Sequence, residues 1–447
     1  MRPLRVAYVL LYFPRLTETF VAEEIRGMRS HGADVRIISL LKPAREPVQA
    51  VSEGLMDSVW CAPTLRAPML WRAQLHFLLR APRLYFGLLV ELMRQPMPRR
   101  PVSLLLKRLL VFLKAVTAAQ YLEGKEIQLV HAHFAWLSGG AAWICARLLD
   151  LPFTVTVHAY DIFSHKNDLL PLVSRGAARV IAVSEYNRSQ VAARGECAAA
   201  AISVIHTGVD CSKLRDRSRS YQPQARSAEL SILSVGSLVA KKGHRYLVEA
   251  CGELAERGLE FSCTIIGGGP DEASLRNQIR ARGLEERVKL RGACLQDEVI
   301  TAYLEHDVFV LSSIVVSDGD RDGIPVVLME AGAMGLPLVS TTVSGIPELV
   351  RHRQNGLLVT PGSSVALAEA IADLALDPVK RNLLGRNARS LVEAQFNIET
   401  NSAELMGLFQ HTIDQWAHAR IEAQNQVIEG KPVNPIGQSD EVGHDLV

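Results

Sequence analysis

The sequence predicts an α/β protein with two doubly wound, Rossmann-like parallel sheets that face each other across a cleft. Short apolar runs of strand length alternate with segments of helical periodicity, which is the pattern of parallel sheets. This alternation occurs twice, on either side of a polar stretch at about residues 211–229. The length of 447 residues suggests two or three domains. The composition, 48% hydrophobic and 21% charged, is typical of ordered globular proteins.

The strands are predicted from short apolar runs rich in Val, Ile and Leu. The first series comprises residues 6–11, 35–40, 129–133, 153–158, 180–184 and 202–206. The second series comprises residues 230–236, 262–267, 288–291, 308–312, 338–341 and 356–359. Helices are predicted between them, for example at residues 244–257, 271–282 and 364–376.

We expect an N-terminal domain at residues 1–210, a linker at 211–229 and a C-terminal domain at 230–401. Doubly wound sheets bind ligands at the carboxyl ends of their strands, so two facing domains place a site in the cleft between them. The Pro, Gly and acidic residues at 431–447 predict a disordered tail.

Charge and cysteine content exclude several classes of protein. The formal net charge of +2 gives no reason to expect a nucleic-acid partner. The seven cysteines are scattered without a C-x-x-C pair, which favours reduced thiols over disulfides or a zinc site. The apolar start of the chain is too short for a signal peptide and is predicted as the first strand. No uncharged apolar stretch of about 18 residues occurs, so we expect a cytoplasmic protein without a spanning helix.

The segment from Asp322 to Pro337 is the most informative part of the sequence. It predicts a glycine loop, a helix starting at Pro325 and a strand starting near Pro337. The free N–H groups of a first helical turn and the helix dipole form a site for phosphate, which Gly323 and Ile324 would border. Two acids beside a phosphate site suggest a ligand rich in hydroxyls. The alternative is a core helix capped by an acid.

This segment resembles the acid–seven residues–Glu motif of the family 4 retaining glycosyltransferases, and the match continues through Ala331, Gly335 and Pro337. The resemblance implies the two-domain GT-B fold. It also implies that Glu330 binds the ribose of a nucleotide-sugar and that Asp322 contacts hydroxyls of the transferred sugar. Asp322 stands where most members have Glu. No metal or cofactor is implied beyond the nucleotide-diphospho-sugar, which is a co-substrate. In that fold the last helix returns to the first domain, as residues 402–424 could.

Two glycine-containing loops resemble further parts of the donor site. Gly236 and Ser237 precede Lys242, whose ammonium would neutralise a diphosphate. The family motif has Arg where Ser237 stands, and Lys241 or Arg321 could compensate. Three glycines and a proline at residues 267–270, including Gly267 and Gly268, resemble the loop that lies near the nucleotide. The alternatives are a solvated loop lysine and a plain strand-to-helix turn.

The acidic segment before this helix carries two patterns that would indicate a metal. Asp318, Asp320 and Asp322 begin like an EF-hand loop, but Met329 stands where that loop needs Glu. The segment also contains a D-x-D pattern, which binds manganese in glycosyltransferases of the other major fold. Those enzymes have one main nucleotide-binding domain, whereas this sequence predicts two domains. We therefore expect no metal and interpret the segment as a polar loop.

His158 and His133 both lie at the ends of predicted strands and should face the cleft. The resemblance implies that His158 lies close to the transferred sugar and phosphate. The alternative is a core histidine with satisfied hydrogen bonds. His131 and His133 share a strand face and could form a metal pair, but the sequence shows no third ligand. We therefore favour packing or substrate contact, with His133 as a candidate residue on the acceptor side.

The segment from Phe13 to Phe20 resembles the F-P-x-x-S-E-T-F segment of bacterial polysaccharide glycosyltransferases, with Thr17 in place of Ser. Glu18 and Thr19 are therefore candidate acceptor contacts. Capping of the first helix would explain Thr17 equally well.

Residues 62–118 form a basic amphipathic insert. The insert holds ten Lys or Arg against one acid, Glu91, and its prolines divide it into short helices. Basic amphipathic helices bind anionic membranes, so we expect peripheral attachment to the inner face of the cytoplasmic membrane. The alternative is that the apolar faces pack on the first sheet while the arginines lie in solvent.

The motifs together predict a retaining glycosyltransferase with a lipid-linked glycan acceptor, acting in exopolysaccharide biosynthesis like enzymes of the colanic-acid type. Two alternatives stay open at this point. One is a sugar-nucleotide epimerase of the same architecture. The other is a non-catalytic membrane-associated partner, suggested by Ser237.

Overall fold

The computed structural model describes residues 3–15, 18–42, 50–96, 101–163, 168–194, 197, 199–217 and 229–428. The predicted tail at 431–447 and most of the predicted linker lie outside these ranges. None of the helices in the described ranges combines the length and the hydropathy that a bilayer span requires.

The first sheet has seven parallel strands in the order β3-β2-β1-β4-β5-β6-β7. Their bounds are β1 Arg5–Tyr12, β2 Asp34–Leu41, β3 Val59–Cys61, β4 Leu129–His133, β5 Phe153–Val157, β6 Arg179–Ala182 and β7 Ile202–Val204. The helices of this half are α1 Thr19–Ser30, α2 Ala50–Glu53, α3 Pro68–Arg80, α4 Pro82–Arg94, α5 Pro101–Leu122, α6 Leu137–Leu149, α7 Ala159–Phe163, α8 Leu170–Gly176 and α9 Glu185–Ala193. Helix α10, Cys211–Arg217, follows β7 in the chain.

The second sheet has six parallel strands in the order β10-β9-β8-β11-β12-β13. Their bounds are β8 Leu230–Val235, β9 Phe261–Ile266, β10 Val288–Gly292, β11 Val308–Leu311, β12 Leu338–Thr341 and β13 Gly356–Val359. The helices are α11 His244–Glu256, α12 Glu272–Ala281, α13 Gln296–Glu305, α14 Val326–Ala333, α15 Ile346–Leu349, α16 Ser364–Leu376, α17 Pro378–Gln395 and α18 Ile398–Ile428.

The predicted fold class is confirmed, and every predicted strand is present with small shifts at its ends. The apolar runs are explained by burial on both sheet faces: residues 6–10 of β1 and all of β4, β5, β11 and β12 are buried. The edge strand β3 was not predicted. It has only three residues, which is too short for an alternation of apolar and polar side chains to be recognised.

Part of the predicted linker is helical. Residues 211–217 form α10, because Cys211 and Leu214 are buried in the core of the second half together with Val209. Residues 218–228 lie outside the described ranges.

Helix α18 begins beside the second sheet and packs against α1 of the first half. Its residues Leu405 and Phe409 belong to the same buried cluster as Ile25. A Cβ atom at Gly27 would collide with the side chain of Ser402, so the close approach of the two helices requires glycine at residue 27.

The chain passes between the two halves at residues 205–211 and again near residue 397, and these crossings are hydrogen-bonded to each other. The N–H of Val209 donates to Phe396 O at 2.8 Å, and the N–H of Ile398 donates to Val209 O at 3.0 Å. Gly208 lies directly against Ile398, whose backbone a Cβ at residue 208 would approach to 2.6 Å.

Candidate active site

A cavity of about 640 Å³ lies where the carboxyl ends of β8 and β9 meet the start of α14. We call it the donor-side cavity. Thr19 and Phe20, from the first half of the chain, also line it. The structure thus brings together every residue predicted for the donor side: Gly236, Ser237, Lys242, Gly267, Gly268, Asp322, Gly323, Ile324, Pro325 and Glu330.

Helix α14 directs its amino-terminal end into this cavity. Pro325 precedes the helix with φ −65° and ψ 128°, so the helix begins at Val326, one residue later than predicted. The extended ψ angle explains the shift, because Pro325 fits the fixed φ of proline without joining the helical turn. Pro325, Val326 and Val327 all line the cavity, so the positive end of the helix dipole faces the space predicted for phosphate.

The two charged groups nearest this helix end form an ion pair. Lys242 Nζ lies 2.9 Å from Asp322 Oδ2, and both side chains are mostly buried. Asp322 also accepts a hydrogen bond from Ser313 Oγ at 3.0 Å. Sequence analysis missed Ser313, although its place just beyond the carboxyl end of β11 would have marked it as a candidate.

Glu330 lines the donor-side cavity and is only partly buried. Its Oε2 accepts a hydrogen bond from the hydroxyl of Tyr303 at 3.0 Å. Burial raises the pKa of the Glu330 carboxyl above its usual range, although hydrogen bonds from Tyr303 and Gln296 act in the opposite direction. Tyr303 comes from α13 and was missed, because nothing in its local sequence indicates that it reaches Glu330.

The glycines of the cavity have different roles. Gly267 adopts φ +152°, and a Cβ there would collide with Gly236 O, so this glycine is required by the packing of two loops alone. At Gly268 the nearest atom to a Cβ would be Ala293 Cβ at 3.7 Å, so the backbone at this residue stays open to the cavity.

Neither residue that could compensate for Ser237 lines the donor-side cavity. Lys241 pairs with Asp320 at 3.1 Å, and the guanidinium of Arg321 lies 4.3 Å from the ring centre of Phe163. Within the part of the chain that the structure describes, Lys242 is the only basic residue lining that cavity.

A second cavity of about 560 Å³, the acceptor-side cavity, adjoins the first and shares Phe20, Asp322 and Gly323 with it. Glu18, His133 and His158 line it as predicted for the acceptor side and the reacting sugar, and so do Lys241 and Arg321. Thr19 does not. As the first residue of α1 it lies beside Phe20 on the donor side, where it faces the region of Glu330.

Thr17 lies outside the described residues, and Glu18 is the residue that immediately precedes α1. Glu18 makes no side-chain capping bond but pairs with Arg15 at 2.5 Å. Burial raises the pKa of the Glu18 carboxyl, and the positive charge of Arg15 partly offsets this increase.

His158 is held from two sides. Its backbone N–H donates to Asp161 Oδ2 at 2.8 Å, and its Nε2 lies 3.1 Å from Nδ1 of His133. Burial lowers the pKa of His158 well below its usual value, so the imidazole is neutral at pH 7. Burial likewise raises the pKa of Asp161, from 3.8 to about 7. Sequence analysis did not identify Asp161 as a functional residue.

The two strand histidines acquire a carboxylate neighbour that the sequence did not indicate. Glu24, His131 and His133 each offer one ligand atom, a carboxylate oxygen or a ring nitrogen. These three atoms lie within 4.8 Å of one another, a separation compatible with a metal ion. However, His131 Nδ1 lies 2.9 Å from Thr154 Oγ1 and His133 Nε2 lies 3.0 Å from Glu24 Oε1. The ring nitrogens are therefore already engaged in protein hydrogen bonds.

Comparison with known proteins agrees with this geometry. Residues 17–213 match the family model "Glycosyltransferase Family 4", and residues 218–391 match the model "Glycosyl transferases group 1". The putative colanic acid biosynthesis glycosyltransferase WcaL of Escherichia coli is 31% identical over 427 residues, covering 91% of this chain and 100% of the relative. The amylovoran biosynthesis glycosyltransferase AmsK of Erwinia amylovora is 39% identical over 235 residues, covering 52% of this chain and 56% of the relative.

Solved structures show the same fold. Anabaena HepE, crystallised in complex with UDP, superposes with a TM-score of 0.67 at 19% identity, covering 91% of this chain and all of HepE. Sucrose-phosphate synthase from Thermosynechococcus elongatus also superposes with a TM-score of 0.67 at 19% identity, covering 92% of this chain and all of the synthase. Two facing parallel sheets, the acid–seven residues–Glu motif and full-length similarity to WcaL place this chain in the family 4 glycosyltransferases, which have the GT-B fold.

Proposed function

We propose that this glycosyltransferase binds a nucleotide-diphospho-sugar in the donor-side cavity and transfers the sugar with retention of configuration and without a metal ion. The single observation that carries the proposal is the convergence of Lys242, Asp322 and Glu330 around the start of α14 in one open cavity. A helix terminus and an ammonium suit a diphosphate. The two carboxylates suit the hydroxyls of a ribose and a sugar.

The leaving diphosphate would lie against the first turn of α14, where Lys242 stabilises the negative charge that develops as the glycosidic bond breaks. Glu330 would hold the ribose, with Tyr303 orienting its carboxylate. Asp322 would bind the transferred sugar, and His158 would orient that sugar from the opposite half of the molecule.

No carboxylate is assigned as a nucleophile. The acceptor oxygen would bond to the anomeric carbon on the face from which the phosphate oxygen departs, and that phosphate oxygen would take the acceptor's proton. Closure of the two halves would exclude water, which would otherwise hydrolyse the donor.

The acceptor we propose is a lipid-linked glycan used in bacterial exopolysaccharide biosynthesis. Two relatives are named for colanic acid and amylovoran biosynthesis, which supports this class of product. The acceptor-side cavity is open and polar enough for a glycan, with Glu18, Lys241 and Arg321 in its lining.

Helices α3, α4 and α5 support binding to an anionic membrane surface, and the surface we propose is the inner face of the cytoplasmic membrane. They expose large apolar side chains beside basic ones, including Trp71, Leu75, Leu79, Phe86, Val102 and Leu106. The basic residues Arg66, Arg72, Arg83 and Arg94 are exposed on the same insert. Apolar contact combined with several cationic side chains is the pattern of peripheral binding to anionic lipids.

Of the eight basic residues of the insert that the structure describes, two point inward, contrary to the expectation from sequence. Arg108 is fully buried and pairs with Asp168, and Lys114 donates to Leu40 O at 2.6 Å. They therefore contribute to the packing of α5 and do not face a membrane.

Two measurements test the proposed activity. Glu330→Ala should abolish sugar transfer while circular dichroism and thermal unfolding remain close to those of the unchanged protein. A thermal-shift screen against UDP, GDP and ADP, each with and without its sugar, should show stabilisation by one nucleotide class. Full turnover by Glu330→Ala would contradict the ribose assignment.

Neither alternative function is favoured. The named relatives are glycosyltransferases, and the donor-side cavity is intact despite Ser237. An epimerase would convert the donor without an acceptor, which NMR of the donor alone would detect. A non-catalytic partner would bind no nucleoside diphosphate in a calorimeter.

A further inference from the structure

A chain of hydrogen-bonded polar groups connects His158 to Glu24, a residue of α1 to which no role has been assigned so far. Nε2 of His158 lies 3.1 Å from Nδ1 of His133, and Nε2 of His133 lies 3.0 Å from Oε1 of Glu24. The hydroxyl of Tyr8 donates to the same carboxylate oxygen at 2.8 Å. The His133 and Tyr8 side chains are almost completely buried.

The direction of each hydrogen bond follows from the chemistry of the groups. An ionised carboxylate can only accept, so Nε2 of His133 must carry a hydrogen atom. In a neutral imidazole the other nitrogen is then an acceptor, so Nδ1 of His133 accepts from Nε2 of His158. This leaves Nδ1 of His158 as a lone-pair acceptor on a ring that lines the acceptor-side cavity.

The tautomer of His158 distinguishes this neutral arrangement from a protonated His133. A protonated His133 would donate from both nitrogens and would force Nε2 of His158 to accept, which reverses the tautomer. That state would place a cation at a site where the His133 side chain is 1% exposed.

We propose that Glu24 is a positioning residue that acts through His133 to hold His158 in its Nε2–H tautomer, so that Nδ1 of His158 accepts a hydrogen bond from a hydroxyl of the transferred sugar. The contact with a sugar hydroxyl rests on the proposed function. The tautomer is a property of the free protein.

The test is ¹⁵N NMR of the full chain labelled at histidine, with the His158 signals assigned by their loss in His158→Gln. We expect a pyridine-type shift at Nδ1 and a pyrrole-type shift at Nε2 in the unchanged protein. Glu24→Leu should abolish this single tautomer and give a mixture. Glu24→Gln is the second variant if the first does not fold, and because an amide can donate as well as accept, it should also give a mixture.

Tyr8→Phe is the matched control. It removes a hydrogen bond to the same Glu24 oxygen without breaking the path to His158, so the His158 tautomer should stay unchanged.

Activity provides the second readout. Glu24→Leu should lower kcat by on the order of ten- to a hundredfold, as expected for a group that orients another. Combined with His158→Gln, it should cause no further loss, since residues acting along one path are not additive. Additive losses would overturn the proposal.

Two NMR results would also overturn it: a protonated Nδ1 at His158 in the unchanged protein, or an unaltered tautomer in Glu24→Leu. A stoichiometric zinc ion whose removal by EDTA shifts the His131 and His133 signals would replace it with a metal site. These outcomes do not depend on turnover, so they are distinguishable from failure of the proposed glycosyltransferase reaction.

Discussion

Lys242 and Asp322 form an ion pair across the mouth of the donor-side cavity, with 2.9 Å between Nζ and Oδ2. The lysine lies between β8 and α11 and the aspartate lies before α14, so the pair connects two loops of the second sheet. A diphosphate entering this site would compete for the ammonium and would leave the carboxylate free to accept sugar hydroxyls. The ligand-free pairing therefore holds both groups near their proposed binding positions.

We expect Lys242→Met to lower kcat/KM by about a hundred- to a thousandfold, because it removes the only ammonium proposed to stabilise the departing diphosphate. The measurement is steady-state transfer with the donor identified in the thermal-shift screen. Lys289→Met, at an exposed lysine paired with Glu286, is the control and should behave like the unchanged protein. A loss below threefold in Lys242→Met would exclude the assigned role.

Tyr303→Phe should raise KM for the donor about five- to tenfold with little change in kcat, since it removes one hydrogen bond that orients the Glu330 carboxylate. Donor titrations at saturating acceptor measure both constants. Tyr246→Phe alters a tyrosine that lines neither the donor-side nor the acceptor-side cavity, and it should leave KM unchanged.

The stability of the protein should depend on the protonation of Asp161. Its pKa of about 7 in the folded state, against 3.8 ordinarily, means that the folded protein keeps this proton between about pH 4 and 7 while the unfolded chain has lost it. Its contribution is fully present below pH 4 and is lost as pH rises through 7. One pKa unit corresponds to about 1.4 kcal/mol, so the free energy of unfolding should fall by up to about 4 kcal/mol.

Asp161→Asn cannot ionise, so urea unfolding at several pH values should show a smaller decline for this variant than for the unchanged protein. If the free energy of unfolding depended on pH in the same way for both proteins, burial would not be raising the pKa of the Asp161 carboxyl.

Arg108→Met should destabilise the first half by about 3–5 kcal/mol, because it leaves Asp168 buried without its cation. It also removes hydrogen bonds from the guanidinium to Gln95 O at 2.9 Å and Pro96 O at 2.7 Å. Urea unfolding followed by tryptophan fluorescence measures the loss. Arg83→Met, at an exposed position of the same insert, should change stability by less than about 0.5 kcal/mol.

The triple variant Trp71→Ser, Leu75→Ser, Leu79→Ser should bind vesicles containing phosphatidylglycerol at least tenfold more weakly than the unchanged protein. These residues recur every four positions on α3, so they form one exposed stripe. Sedimentation with vesicles measures binding, and higher salt should weaken it.

Leu376→Ser with Val379→Ser is the matched control for the membrane prediction, because it removes apolar side chains that are 80% and 77% exposed on the second half. Equal vesicle binding by the triple variant and the unchanged protein would argue against a membrane role for the insert.

The parts of the molecule that depend on local sequence were predictable. Buried parallel strands appear as apolar runs, and the donor-side residues follow the carboxyl ends of those strands or the start of α14. Glycine and proline also mark turns whatever the rest of the chain does, which is why Gly236, Gly267 and Pro325 were found.

The residues that sequence analysis missed reach the site through tertiary packing. Glu24 lies on α1 and Tyr303 on α13, where each belongs to an ordinary amphipathic pattern. The inward orientation of Arg108 could not be predicted from the sequence either. Its partner Asp168 is 60 residues away in the chain, and its other acceptors are backbone carbonyls, which all residues possess.

The paired crossings at Val209 and Ile398 have a consequence for how the cleft can open. These two crossings are hydrogen-bonded to each other beside Gly208, so the two backbone connections between the halves lie side by side. A side chain at residue 208 would push the crossings apart and misalign the two faces of the cleft, even though each sheet stayed folded. We therefore expect a side chain at residue 208 to change the separation of Lys242 and His158, although residue 208 lines neither the donor-side nor the acceptor-side cavity.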